Sequence, residues 1–242
     1  MEESENLYDK IREIFGGFPD NLNILEETID IDLQMEYFEN SRLIKLDIDQ
    51  EKTMENAGSL FDEGLSIDEI KGMLSKLASV ERVEAYRIIE KYMQNPQPSL
   101  REWGILALQE SRMLIESKLL DENHVFISTG LGGKGNKLRY FVVLLARDNI
   151  TLNPTQRKVI KNEFRYTLNK YGGEIEEFNF SGYLATLMTV IPMDVTIKQL
   201  FDEAINECNQ FGDFLVKNFI ITNVKALDFD EIRNFLKKNR ER

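Results

Sequence analysis

The stretch Leu138–Arg147, with the sequence LRYFVVLLAR, decides the fold that we predict for this chain. Its apolar side chains occupy both alternating sets of positions, and successive side chains of a strand point to opposite faces of a sheet. The pattern therefore predicts a long strand that is covered on both faces. Helical spacing begins at Asn153 and Pro154, because asparagine is a preferred cap and proline suits the first helical turn. We expect this helix to end at Gly172.

The segments around this strand and helix complete an α+β pattern. Downstream we predict two strands, a helix and a further strand, at residues 174–180, 183–191, about 195–210 and 215–224. Together they give the order βαββαβ, which is that of the ferredoxin-like fold. With an upstream strand at 125–129 and a final helix from Asp228, the order becomes ββα, ββα, βα, so a duplicated ββα meander is the alternative. In either case we predict an antiparallel sheet with helices on one face.

The residues before 121 have helical spacing instead. Ser66 and Glu69 form a capping box, as do Ser99 and Glu102, since each pair can satisfy two free backbone N–H groups. We predict helices at about 67–78, 80–94 and 100–119. The last two resemble a HEAT-type helical hairpin, in which Val83, Tyr86, Ile89 and Met93 would face Trp103, Leu106, Ala107 and Leu114. A plain helical subdomain is the alternative, because no second copy follows at the ~40-residue spacing of such repeats.

Charge is divided unevenly along the chain. Residues 1–120 carry 26 acidic and 13 basic side chains, whereas residues 121–242 carry 16 and 17. The stretch 124–170 holds nine Lys or Arg residues against only Asp148 and Glu163. The change in charge coincides with the change in periodicity, so we predict two domains: an acidic helical region at 1–121 and an α+β domain at 122–242.

The inventory of reactive side chains excludes several classes of protein. The chain has one cysteine, Cys208, and one histidine, His124, whereas a zinc site needs about four ligands that include such residues. We therefore predict no metal, no cofactor and no catalytic residues. Residues 1–9 lack the basic and apolar regions of a secretory signal, and the longest apolar run, Tyr140–Ala146, is too short to cross a membrane, so we expect a cytoplasmic protein.

A glycine-rich loop between the first two strands, Thr129–Lys137, is the segment that most resembles a ligand site. Its Gly130-x-Gly132-x-x-Gly135 spacing occurs in dinucleotide-binding folds, but there it ends a strand and opens a helix, and here a strand follows. A P-loop needs Ser or Thr after Gly-Lys, whereas Gly135 follows Lys134. A protein kinase would need His-Arg-Asp and Asp-Phe-Gly segments that this sequence lacks.

Capture of an anion by this loop is the chemistry that remains. Glycines let backbone N–H groups approach a ligand closely, and nearby cations supply positive charge. The candidate ligand-binding residues are Gly130, Gly132, Gly133, Lys134, Gly135, Lys137 and Arg139. Two alternatives stay open: a flexible hairpin tip whose lysines keep it hydrated, and a basic tip that docks on the acidic N-terminal half of the same chain or of a second copy.

These observations lead to a prediction of function. We expect a non-enzymatic binding or protein-interaction module, with a protein partner or self-association and no membrane contact. The net charge of −12 disfavours nucleic acid as a partner, because sequence-independent binding rests on neutralising phosphates. The alternatives are a small-molecule or phosphate-type anion sensor that uses the hairpin 129–139, and an enzyme of unknown class.

Overall fold

The computed structural model describes residues 22–120 and 125–240. These residues divide into two compact units: residues 22, 29–120, 125 and 126 form a helical unit, and residues 23–28 with 127–240 form an α+β unit. The fold class is mixed helix and antiparallel sheet, as predicted. The placement of a domain boundary at 121/122 stays a prediction. No helix in the described part of the chain is long and apolar enough to cross a membrane.

The helical unit contains five α-helices among its described residues. They are α1 (Ile31–Lys45), α2 (Gln50–Glu55), α3 (Ile67–Ala78), α4 (Val83–Tyr92) and α5 (Arg101–Leu120). The capping box of Ser66 and Glu69 is present at the start of α3. Ser99 lies inside a 3-10 turn, Pro98–Leu100, that leads into α5. Helices α3 to α5 match the predicted spans closely, whereas α1 and α2 were not predicted.

The buried indole of Trp103 lies at the centre of this unit. Its Nε1–H donates to the Lys71 carbonyl oxygen and to the Ser75 hydroxyl, each at 3.1 Å, so α5 is joined to α3 by polar as well as apolar contacts. The ring of Tyr37, from α1, meets the Trp103 ring edge-on with centroids 5.1 Å apart. A buried indole needs such a partner, because an unsatisfied buried N–H costs about 1–3 kcal/mol.

The α+β unit is built on an antiparallel sheet. Its elements are β3 (Gly133–Lys134), β4 (Lys137–Leu145), α6 (Pro154–Lys170), β5 (Glu174–Ser181), β6 (Leu184–Pro192), α7 (Ile197–Asn209), β7 (Ile220–Thr222) and α8 (Phe229–Arg240). The main strands lie in the spatial order β7-β4-β6-β5, and β3 forms a short hairpin with the start of β4. This is the strand order of a ferredoxin-like fold, so the structure selects that alternative over the duplicated meander.

Strand β4 is covered on both faces, as its sequence predicts. Val142 points to one face, where it packs with Phe164 of α6 and Phe201 of α7. Val143 points to the other face, where it packs with Ile232 of α8. Burial of each such side chain contributes about 2 kcal/mol. Two helices thus share a face as predicted, and the C-terminal helix covers the second face.

Two predicted strands are shorter in the structure or pair elsewhere. The predicted strand at 125–129 is β2 (Val125–Ile127), and it pairs with β1 (Leu22–Ile24) in a separate two-stranded sheet. The predicted strand at 215–224 is interrupted: Leu215 forms an isolated bridge with Ala146, and the regular strand β7 begins only at Ile220. Strand β4 can therefore pair with β6 on one side and β7 on the other.

Helix α6 forms where the sequence predicts it. Asn153 and Gln156 make a reciprocal capping box, and Pro154 occupies the first turn. The helix ends before Gly172, which adopts a φ of 73° that favours glycine. Its buried side chains are Ile160, Phe164, Thr167 and Leu168. Because these residues fix one face against the sheet, the opposite face of α6 is directed to solvent.

Candidate functional site

The glycines of the predicted loop serve close backbone packing. Gly130, Gly132 and Gly133 are all buried. A Cβ atom on Gly130 would overlap the carbonyl oxygen of Val224, and one on Gly132, whose φ is +68°, would overlap the carbonyl oxygen of Glu27. The missing side chains therefore allow two other backbone segments of the α+β unit to approach.

Backbone N–H groups of the loop are also occupied by protein acceptors. The N–H of Leu131 donates to the Asn223 carbonyl oxygen at 3.0 Å. Gly135 is exposed, with a φ of +60°, and its N–H donates to a carboxylate oxygen of Glu26 at 2.8 Å. These amides are engaged within the protein, whereas an anion site of the predicted kind needs them directed at a ligand.

The structure brings the three candidate cations together at one edge of the sheet, where two glutamates pair with them. Lys134 and Lys137 reach the Glu174 carboxylate at 2.7 and 3.2 Å. Arg139 holds Glu176 with two parallel hydrogen bonds, from Nε at 2.7 Å and from Nη2 at 3.0 Å. Paired guanidinium and carboxylate groups of this geometry are among the stronger charge-assisted contacts. The positive charge of the loop is thus largely neutralised.

The pKa shifts at this edge of the sheet arise from the same ion pairs. Hydrogen bonds from Lys134 and then Lys137, together with their charges, hold the pKa of the Glu174 carboxyl below its usual value. The hydrogen bond to Glu174 in turn raises the pKa of Lys134. An incoming anion would have to displace this carboxylate. Anion binding by the loop stays a prediction, and the geometry favours a structural role for its cations.

Sequence reasoning missed Glu174 and Glu176 as partners of the loop. In the observed register both Arg139 and Glu174 lie opposite Val190 of the central strand β6. Long side chains on strands β4 and β5 can therefore meet over that smaller residue. The ferredoxin-like strand order, which places β5 two strands from β4, was the sequence signal that could have located them.

A second group of cations lies on the solvent-facing side of α6. Lys158, Lys161 and Arg165 are exposed, and Arg157 is half-buried beside them. Positions three, four and seven apart share one face of a helix. None of the four makes an ion pair with a carboxylate of the described residues, and the helix has a single acidic residue, the half-buried Glu163. We call these four residues the α6 basic face.

Two of these cations are held in place by contacts that leave their charge unneutralised. Arg157 Nε donates to the Leu152 carbonyl oxygen at 2.9 Å. The Arg157 guanidinium and the Lys161 ammonium each lie 5.5 Å from the ring centre of Phe180, which stacks on Phe178 in strand β5 with centroids 5.8 Å apart. A cation over an aromatic face is attracted by the ring and keeps its full charge. The α6 basic face is therefore partly ordered before any ligand arrives.

The remaining reactive side chains offer no second site in the α+β unit. Cys208 is buried in the core, and burial raises the pKa of its thiol to about 12, so it is not a nucleophile at neutral pH. Within residues 22–120 and 125–240, no group of three or more His, Cys, Asp or Glu side chains could hold a metal ion. His124 lies outside the described residues.

Comparison with known proteins gives distant structural neighbours only. The sequence matches no protein-family model and no curated protein. One similar structure is a candidate transposase from Deinococcus radiodurans R1, at 14% identity and a TM-score of 0.37, covering 44% of this chain and 93% of that one. Another is a REP-associated tyrosine transposase bound to a REP hairpin, at 11% identity and a TM-score of 0.32, covering 40% of this chain and 61% of that one.

These neighbours contradict two predictions from the sequence, namely a non-enzymatic protein-interaction module and the exclusion of nucleic acid as a partner. Both predictions are wrong. The second erred because a net charge of −12 is an average over the chain, whereas binding of phosphates depends on the charge within about 8–10 Å of the contact. At such TM-scores the neighbours assign no activity to this chain.

Proposed function

We propose that the α+β unit binds the phosphate backbone of a nucleic acid through the α6 basic face. The observation that carries the proposal is the contrast in pairing: the cations of this face have no carboxylate partner among the described residues, whereas the cations of the glycine-rich loop do. Lysine and arginine side chains that are free to neutralise phosphates supply most of the affinity in sequence-independent binding.

The spacing of the cations suits a nucleic-acid strand. Lys158 and Arg165 are seven residues apart, which corresponds to about 10 Å along a helix at ~1.5 Å per residue. Phosphates follow each other at about 3.4 Å per strand along the axis of duplex DNA, so the face spans about three of them. The neighbouring exposed residues Asn162 and Asn169 are neutral and can donate hydrogen bonds to phosphate or sugar oxygens.

The mode of binding follows from the same residues. Phosphate contacts position a protein on nucleic acid and carry no direct sequence information. We therefore expect weak binding that tolerates many sequences, with a dissociation constant of about 1–100 μM at physiological salt. Binding should weaken steeply as salt rises, because each neutralised phosphate releases condensed counterions.

The experiment compares two double substitutions that each remove two lysines. Binding of a fluorescently labelled oligonucleotide of mixed sequence is followed by anisotropy between about 50 and 200 mM salt. We expect Lys158→Ala/Lys161→Ala to weaken binding and to reduce the slope of log affinity against log salt by about two. The matched variant Lys134→Ala/Lys137→Ala should leave the slope unchanged. Absence of binding by the wild-type chain, or equal effects of the two variants, would overturn the proposal.

The prediction of a cytoplasmic location is kept as part of this proposal. It is supported by the single cysteine of the sequence, which is a free and buried thiol. Such a residue suits a reducing compartment, where disulfides are rare.

A further inference from the structure

A cavity in the helical unit is distinct from the α6 basic face. It has a volume of about 330 Å³ and lies between helices α1 and α5 beside β2. Its wall is mainly apolar and is formed by Phe38, Leu106, Met113, Leu114 and Phe126. Its polar groups come from Lys45, Glu110 and Ser117. Small-molecule sites typically have this composition, a concave apolar wall with a few polar groups that converge.

The polar end of the cavity is a preorganised cluster around Glu110. One carboxylate oxygen accepts hydrogen bonds from the Ser41 hydroxyl and the Lys45 ammonium, each at 2.5 Å. The other accepts from the Tyr37 hydroxyl, also at 2.5 Å. Tyr37 is fully buried, and this burial, followed by the charge and hydrogen bond of Glu110, raises the pKa of Tyr37 well above its usual value. Tyr37 is therefore a fixed donor.

The charges of this cluster define what it can accept. The Glu110 side chain is only 12% exposed and already accepts three hydrogen bonds, so it has little capacity for a further donor. Lys45 is 45% exposed and spends one of its three N–H donors on Glu110. An ammonium beside a carboxylate makes the site neutral overall, and two N–H donors of the ammonium remain for a ligand.

The apolar end favours an aromatic body. The rings of Phe38 and Phe126 meet edge-on, with centroids 6.2 Å apart and an interplanar angle of 62°. A flat ring can add to such a pair by stacking or edge contact, and the sulfur of Met113 supplies a further favourable contact to aromatic groups. Phe38, which lines the cavity, is 37% exposed, so part of the aromatic wall is accessible to solvent.

We infer that this cavity binds a small, neutral aromatic molecule that carries a hydrogen-bond acceptor, with the ring against Phe38 and Phe126 and the acceptor on Lys45. A ligand with a negative charge would face the Glu110 carboxylate beside Lys45. A ligand with a positive charge would face the Lys45 ammonium. Each charged ligand would therefore bind more weakly than a neutral one to this site of zero net charge.

The test uses three probes of nearly equal shape and different charge: benzamide, benzoate and benzamidinium. Ligand-observed NMR with the full-length chain measures each dissociation constant. We expect benzamide to bind at least about tenfold more tightly than either ion, because each ion would have to place its charge next to a like charge, the Glu110 carboxylate for benzoate or the Lys45 ammonium for benzamidinium. Equal binding of all three probes, tighter binding of benzoate, or no detectable binding of benzamide would overturn the inference.

Two variants and one control locate the binding. Leu114→Phe fills the cavity and should weaken benzamide by about tenfold or more, whereas Met35→Phe, at a side chain that is 66% exposed on α1 and does not line the cavity, should not change it. Lys45→Met keeps the volume, removes the donor and leaves Glu110 unneutralised. It should reverse the preference from benzamide to benzamidinium. Because this reversal does not depend on Leu114→Phe being folded, its failure alone would overturn the inference.

Discussion

The α+β unit contains two basic regions that differ in what surrounds their charges. In the glycine-rich loop, Lys134, Lys137 and Arg139 lie on an antiparallel sheet, where side chains of neighbouring strands come close, and Glu174 and Glu176 meet them. On α6 the neighbours three and four positions away are cations or neutral residues, and no carboxylate of the described chain reaches them. A count of basic residues therefore measures available charge only when the tertiary partners are known.

The largest expected effect concerns the glycines, which decide whether the loop is structural. Gly130→Ala places a Cβ against the Val224 carbonyl oxygen, and the backbone would have to move to accommodate it. We expect a loss of about 3 kcal/mol in the free energy of unfolding, measured by urea denaturation. Gly135→Ala is the matched control: the space around it is open, and only the strain of its φ of +60° applies, about 1 kcal/mol. A loss at Gly130 no larger than that at Gly135 would contradict a packing role for the loop glycines.

A smaller effect is expected from the cation that ties the loop to strand β5. The Arg139 side chain is 17% exposed, and its guanidinium also donates to the carbonyl oxygens of Glu26 and Leu131. Arg139→Met keeps most of the apolar stem and removes these bonds, so we expect a loss of about 2 kcal/mol. Lys134→Met should cause no measurable change in the free energy of unfolding, because that side chain is 56% exposed and its pair with Glu174 is screened by water. Equal losses in thermal or urea unfolding would show that the two cations are equivalent.

The smallest effect concerns the pH at which Glu174 is protonated and no longer neutralises the lysines of the loop. Because the folded pKa of Glu174 is depressed, its pairs contribute to stability above the ordinary glutamate pKa of about 4.3 and are lost as pH falls through the lower folded value. The lysines of the loop should then lose their carboxylate partner. Carboxyl ¹³C shifts of Glu174 measure this titration. In Lys134→Ala/Lys137→Ala the pKa should rise toward its ordinary value, and an unchanged midpoint would contradict the assigned cause.

The sequence was sufficient for the elements whose signals are local. The apolar run at Leu138–Arg147 predicted a strand covered on both faces, and Asn153 with Pro154 predicted the start of α6, because alternation and capping depend on neighbours in the chain. The shortening of β7 was not predictable in this way. The predicted run continues through residues 217–219, but only Leu215 and Ile220–Thr222 pair with the neighbouring chain, and periodicity does not record such an interruption.

The candidate site was harder to predict because it depends on distant partners. Glycine spacing at Gly130, Gly132 and Gly135 cannot distinguish N–H groups that face a ligand from backbone that packs on Val224 or Glu27. The basic stretch 124–170 is continuous in the sequence, although its parts lie in different electrostatic surroundings in the fold. The separation depends on Glu174 and Glu176, which follow the stretch in sequence and pair with its first part only in the folded sheet.

The most direct test of this contrast is a measurement of the local electrostatic potential at both regions in one sample. Amide proton relaxation is recorded with an anionic and with a neutral nitroxide of the same size. The enhancement from the anionic nitroxide divided by that from the neutral one reports how strongly each surface attracts negative charge. We predict a ratio well above one at Lys158–Arg165 and a ratio near or below one at Lys134–Arg139. Equal ratios at the two regions, or a higher ratio at the loop, would contradict the claim that the available positive charge of this protein lies on α6.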